Sequence, residues 1–228
     1  MGIHRLNPGQ GNVARLNQRV GAEAVADWWL SGGIAAANCI VAYQPKGAAD
    51  YATSKVNLAN PGTLNLTDPT NYPAWSASNG WDYGTSNTTP ITFLRMGGTT
   101  LRSVAFLVYP VYRTNAQSIF GRINNDAGEA LIRTASISTF TDVTDSRAFH
   151  YNGSLYVDGV ETTTYTNQAW QVVISIGGAD RSFDFTIGYG NDALRVRQFN
   201  RYIAAMAGYN HVLTTEQVTA LTTAMNLL

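Results

Sequence analysis

The chain has 228 residues, and its 15 basic and 15 acidic side chains cancel; only 13% of residues are charged, against roughly a quarter in ordinary soluble domains. That balance excludes a basic surface built for DNA, RNA or an acidic membrane and leaves Thr, Asn, Ser, Gln and Gly to face water. A lone cysteine, Cys39, excludes an internal disulfide, and no apolar run approaches the roughly 18 residues of a membrane-crossing helix.

The first 74 residues read as an irregular arm or extension, partly helical, packed on the following domain or on neighbouring subunits. The opening MGIHRLNPGQGN has no apolar stretch behind its basic residue, so no secretory signal is expected. AEAVADWWL (Ala22–Leu30) suits a short helix or the start of a strand, and Ser31, Gly32 and Gly33 stop it. Ile40 and Ala42 begin a strand ending near Pro45, with Cys39 beside Ile40 and Val41 as a buried small hydrophobe. Leu58–Trp75 holds three prolines among Asn and Asp, which favours turns.

From Trp75 the pattern is β. Expected strands include GWDYG, ITFLRM, SVAFLVYPVY, QSIFGRI, ALIRTA, RAFHYN, SLYVDG, VETTTY, WQVVISI, SFDFTIGYG and VRQFNRYIAAMAGY. Phe183, Phe185 and Ile187 alternate with Ser182, Asp184 and Thr186, as in a strand with one covered face. Short strands separated by Gly, Asn and Asp predict an all-β sandwich or jelly roll over a βαβ fold. The sequence closes on LTTEQVTALTTAMNLL, where Thr214 or Thr215 suits a helix cap and Val218, Leu221 and Met225 recur at helical spacing. A short C-terminal helix braced against the sandwich follows.

NGSLYVDGV (Asn152–Val160), the strand running into YIAAMAGYNHVLTTEQVTAL (Tyr202–Leu221) and the strands between them resemble the laminin-G-like, concanavalin A-like lectin/glucanase domains. The matching positions near the end are Tyr209, Asn210, Leu213, Thr214, Glu216 and Leu221. The resemblance covers Trp75–Leu228 and implies a concanavalin A-like jelly-roll β-sandwich over residues 75–228. It also implies a superfamily whose members bind glycans, mediate adhesion, cleave polysaccharides or belong to phage-type virions.

Chemistry finds little purchase in the pattern. Glu23, Glu129, Glu161 and Glu216 are the only glutamates, and none makes the paired-carboxylate Glu-x-Asp-x-x-Glu motif of family glucanases. Asp180, Asp184 and Asp192 do not supply it either. His4, His150 and His211 stand apart, with no Gly-x-Ser-x-Gly elbow to pair with. The expectation is a chain with no catalytic residues. The resemblance implies a rim calcium site as an option, for which Asp142, Asp145, Asp180 and Asp192 lie near predicted turns; no other cofactor is expected. NNDAGE (Asn124–Glu129) reads as a hairpin corner.

Tyr72 and Tyr189, set among Gly, Asn and Pro, are the aromatic residues most suited to stack on a sugar. Asp158-Gly159 suits a two-residue type I′ hairpin, which makes Asp158 a turn residue. The sequence is thus read as a non-catalytic structural or adhesion component of a phage-like particle, at a virion or extracellular surface. Protein partners or self-association would come through the front segment. A free-standing glycan-binding module is the alternative, with nucleic acid and membrane insertion excluded.

Overall fold

SVAFLVYP and RYIAAMAGY are near-continuous apolar runs, the mark of strands covered on both faces. In the computed structural model, which describes residues 27–84, 92–111, 117–124, 127–134, 140–142, 154–177, 182–192 and 195–228, these two runs form the centre of the larger of two stacked sheets. The strands in the first half are β1 (Cys39–Tyr43), β2 (Ala74–Ser76), β3 (Gly80–Asp82), β4 (Leu94–Thr100), β5 (Ser103–Pro110), β6 (Ser118–Asn124), β7 (Ala127–Thr134) and β8 (Phe140–Asp142). Then follow β9 (Leu155–Val157), β10 (Val160–Glu161), β11 (Gln171–Ile176), β12 (Ser182–Ile187), β13 (Tyr189–Asp192), β14 (Arg195–Gln198) and β15 (Arg201–Tyr209). Among the described residues they are accompanied by the α-helices α1 (Tyr51–Ser54) and α2 (Thr215–Met225).

The larger sheet runs β10-β9-β11-β5-β15-β3-β2, and β1 also pairs with β15. β15 can serve both because they use different halves of its edge: β3 meets Tyr202 and Ile203, whereas β1 meets Met206 to Tyr209. The smaller sheet runs β4-β12-β6-β7-β8, and β13 pairs with β14 as a separate ribbon. Within the segment 1–74 read from the sequence as an arm or extension, β1 pairs with β15 and Trp28 is buried. The sequence pattern also joined β14 and β15 into one strand; the chain breaks between them at Phe199 and Asn200, and Arg201 has a φ of 96°. RAFHYN, with His150, and Glu23 and His4 lie outside the described residues.

Alternation along β5 separates two cores. Val104, Phe106 and Val108 face the smaller sheet, where the Phe106 ring lies 5.5 Å from Phe120 and Phe120 stacks on Phe185 at 4.8 Å. Ala105 and Leu107 face outward, beside Ala205 and Ala207 of β15, and are covered by Val218, Leu221 and Met225 of α2 together with Trp28. The alanines leave a shallow surface on which a helix can lie. Thr214 caps α2 by accepting from the Gln217 N–H, while the Gln217 side chain accepts from the Thr214 N–H, a complete capping box. Among the described residues no helix is long and apolar enough to cross a membrane.

Asp158 (φ 51°) and Gly159 (φ 80°) form the corner between β9 and β10. The Asp158 carboxylate also accepts the Val172 N–H at 2.9 Å and the Gln171 amide at 3.2 Å, so it extends the β9–β11 ladder one step beyond β9. An Asp158→Ala variant is expected to lose both bonds and to strain the left-handed backbone, at a cost of about 2 kcal/mol. Asp158→Asn, which keeps an acceptor and tolerates positive φ, should lose less than half of that in urea unfolding.

Candidate functional site

The short helix α1 begins at Asp50, whose carboxylate accepts the Thr53 N–H at 2.7 Å. Helical spacing then puts Tyr51 and Lys55, four residues apart, on one side. The Lys55 ammonium lies 4.4 Å from the centre of the Tyr51 ring. Asp68 receives both: it accepts the Tyr51 hydroxyl at 2.7 Å and forms an ion pair with Lys55. Burial first, and then the hydrogen bond donated to Asp68, push the Tyr51 phenol well above its usual range. Tyr51 is therefore a neutral donor, locked in place.

Tyr72 completes the group. Its ring stacks on Tyr51, centroids 5.3 Å apart and 27° from parallel, and 54% of the residue remains exposed. The loop carrying Asp68 and Tyr72 is tied down by a bridge from Thr67 to Arg95 of β4, with N–H to carbonyl bonds of 2.9 and 3.0 Å. Pro69 and Pro73 restrict its backbone further. The segment between α1 and this loop is held by Asn57, a buried side chain bonded to five backbone groups.

Tyr189 belongs to the same edge of the sandwich. The residue before Tyr72, Asn71, accepts a hydrogen bond from the Phe93 N–H at 3.5 Å, and the Phe93 ring stacks on Tyr189 at 5.1 Å and 25°. Tyr189 is half-buried, and burial raises its phenol pKa. Two stacked aromatic pairs, Tyr51–Tyr72 and Phe93–Tyr189, therefore flank one loop. The turn-rich surroundings of Tyr72 and Tyr189 lead the sequence to expect exposure at both; Tyr72 is exposed and Tyr189 half-buried. Tyr51, Lys55, Asp68 and Phe93 are not legible in the sequence, although the Asp50 cap followed by Tyr and Lys at helical spacing is a usable signal.

The larger sheet carries a second aromatic group on its outer face. Trp170 stacks on Tyr202 at 6.1 Å, and Tyr109 meets Trp170 edge-on at 5.6 Å. Here cations lie over the rings, Lys46 at 5.4 Å from Trp170 and Arg201 at 4.8 Å from Tyr202. Ring faces held this way leave less open surface for a ligand than the exposed Tyr72.

Of the aspartates considered for calcium, Asp142 ends β8 and Asp192 ends β13, while Asp145 and Asp180 lie outside the described residues. Among the described residues no three His, Cys, Asp or Glu side chains come together in a way that would hold a metal ion. Burial pushes the Cys39 thiol up to about 12, so it stays a packed, protonated group.

No family model matches the sequence, and no curated protein matches it. Among solved structures the chain is similar to Trypanosoma rangeli sialidase in complex with sialic acid, at 10% identity and a TM-score of 0.54, over 83% of this chain and 33% of the sialidase chain. A mutant of that sialidase displaying trans-sialidase activity is 10% identical, with a TM-score of 0.53, over 85% of this chain and 34% of its own. Domain 4 of AbnA, a GH43 extracellular arabinanase from Geobacillus stearothermophilus, in complex with arabinotriose, is 17% identical over 81% of this chain and 98% of that chain; its TM-score of 0.45 is too low to support an argument. The chain spans about a third of the length of the sialidases it matches, and at such identity the likeness is one of fold.

These neighbours correct the sequence reading. The sialidase likeness replaces the resemblance to laminin-G-like and concanavalin A-like lectin and virion proteins. The reading as a structural or adhesion component of a phage-like particle falls with it. The expectation of a chain outside enzymology is corrected as well, since the solved structures that share this fold include a sialidase and a mutant of it displaying trans-sialidase activity. The sequence misled because its hairpin and terminal-helix signals report a β-sandwich in general and do not single out one lineage.

Proposed function

We propose that this chain is a glycan-binding β-sandwich domain of a carbohydrate-processing protein, and that it receives a neutral sugar on the face of Tyr72. The observation that carries the reading is the Tyr72 platform: an exposed ring backed by Tyr51, which in turn meets Asp68 and Lys55. An aromatic face takes the C–H side of a pyranose or furanose, while carboxylate and ammonium groups bind the hydroxyls around it. Lys55 and Asp68 cancel each other's charge, which suits a neutral ring better than an acidic one. The fold likeness to sialidases supports a setting in carbohydrate chemistry. Residues 27–74 are proposed to be part of the binding domain, since α1 and the Asp68 loop build the platform. The proposed place of action is outside a cell, where such glycans are displayed.

The test is a thermal-shift screen of the intact chain against neutral mono- and oligosaccharides, with N-acetylneuraminic acid for comparison. A sugar present at ten times its Kd should stabilise the protein by about 1.4 kcal/mol. Tyr72→Ala should abolish that gain while leaving unliganded stability within about 0.5 kcal/mol, because the ring is mostly exposed. Equal shifts in wild type and Tyr72→Ala would refute the assignment.

A further inference from the structure

We infer that the binding edge accommodates a linear neutral oligosaccharide of at least two units, with Phe93–Tyr189 as a second subsite beside Tyr51–Tyr72. This rests on the glycan-binding reading above and adds the length and the class of ligand. Each subsite is a pair of near-parallel rings, at 27° and 25°, with centroids 5.3 and 5.1 Å apart. In each pair one ring supports the other, which holds the partner in a single orientation before a ligand arrives. The pairs are joined through the backbone: Phe93 donates its N–H at 3.5 Å to Asn71, the residue preceding Tyr72.

Backbone around both subsites is fixed by the framework. Thr67 bridges Arg95 two residues after Phe93. Thr92 donates its N–H to the Gln198 carboxamide at 3.3 Å, and its hydroxyl accepts from that carboxamide at 2.9 Å. Gly188, just before Tyr189, donates to Ile119 at 2.7 Å and accepts from Phe199 at 2.8 Å. Two aromatic subsites on a held backbone suit a ligand with repeating ring units.

Charge argues for a neutral chain. Lys55 is paired with Asp68 and Arg95 with Asp184, and the Asp50 carboxylate beside Tyr51 caps α1. A carboxylated or sulfated glycan reaching for Lys55 or Arg95 would have to break one of these pairs. A neutral one needs only ring faces and hydroxyl partners.

The experiment is isothermal titration of the intact chain with the monosaccharide and the linear di-, tri- and tetrasaccharides of β-1,4-linked glucose, β-1,4-linked xylose and α-1,5-linked arabinose. In the series that binds, Kd is expected to fall at least tenfold from one unit to the longer ligands. Phe93→Leu and Tyr189→Leu retain apolar bulk and should erase that gain with length. Tyr72→Ala should weaken every length. Flat affinity across lengths, or a gain that survives both leucine variants, would overturn the second subsite and leave the Tyr72 reading standing. Absence of binding in all three series would overturn both. Folding of each variant is read from its thermal midpoint, and Phe93→Leu and Tyr189→Leu each give an independent reading if the other fails to fold.

Discussion

Replacing Asn57 with Ala is expected to lower the stability of the chain by about 3–5 kcal/mol. Asn57 is fully buried. Its oxygen accepts from the N–H groups of Ala42, Ala59 and Asn60 at 3.0, 3.1 and 3.4 Å, and its nitrogen donates to the carbonyls of Ile40 and Thr63 at 3.0 and 3.1 Å. Truncation strands several of these groups away from water, and a buried polar group without a partner costs on the order of 1–3 kcal/mol. Asn57→Leu fills the space without supplying a donor or acceptor, so it should be no better than alanine. That comparison separates lost hydrogen bonds from an empty cavity.

The same substitution reaches the binding edge. Asn57 pins the segment after α1 to β1, and Leu66 then donates to the Lys55 carbonyl at 2.9 Å, two residues before Asp68. With that segment released, Asp68 no longer meets Tyr51 and Lys55 in a fixed arrangement. Sugar affinity should therefore fall at temperatures where Asn57→Ala is still folded. Urea unfolding and titration at a low temperature read the two effects apart.

Gly188→Ala is the second large effect, with an expected loss of about 3 kcal/mol. Its φ is +81°, a conformation that a side chain makes unfavourable. A Cβ there would lie 2.0 Å from Cε1 of Tyr83, inside the ring's own space. Tyr83 is 2% exposed and packs edge-on against Phe199 at 6.2 Å, so the ring has nowhere to retreat. At about 2–4 °C per kcal/mol for a chain of this size, the thermal midpoint should drop by roughly 6–12 °C. Shortening the ring in Tyr83→Leu removes the collision. The double variant should then lose clearly less than the sum of the two single losses, which a double-mutant cycle measures directly.

Local signals were the legible part of this protein. The α2 cap and its apolar spacing lie within a dozen residues, and the Asp-Gly corner within two, so neighbouring side chains alone define them. β5 announces itself by an unbroken apolar run. Pairing between distant segments was not legible: nothing near Cys39 says that β1 will lie along Met206 to Tyr209. Asn57 stands in a stretch rich in Asn, Pro and Gly and reads as one more turn residue; only the folded chain surrounds it with five backbone partners. Tyr72 was legible because exposure follows from its surroundings. Its support was not, because Tyr51 and Asp68 come together through the folding back of 17 residues.

Binding of a neutral sugar on Tyr72 is read most directly by a two-dimensional amide NMR titration of the intact chain with the best-binding neutral disaccharide. Saturable shifts are expected, confined to residues near 50–55, 67–73 and 92–95 and extending to 188–190, all absent in Tyr72→Ala. Shifts centred instead on Trp170, Tyr109 and Tyr202, or none at millimolar sugar, would contradict binding on Tyr72.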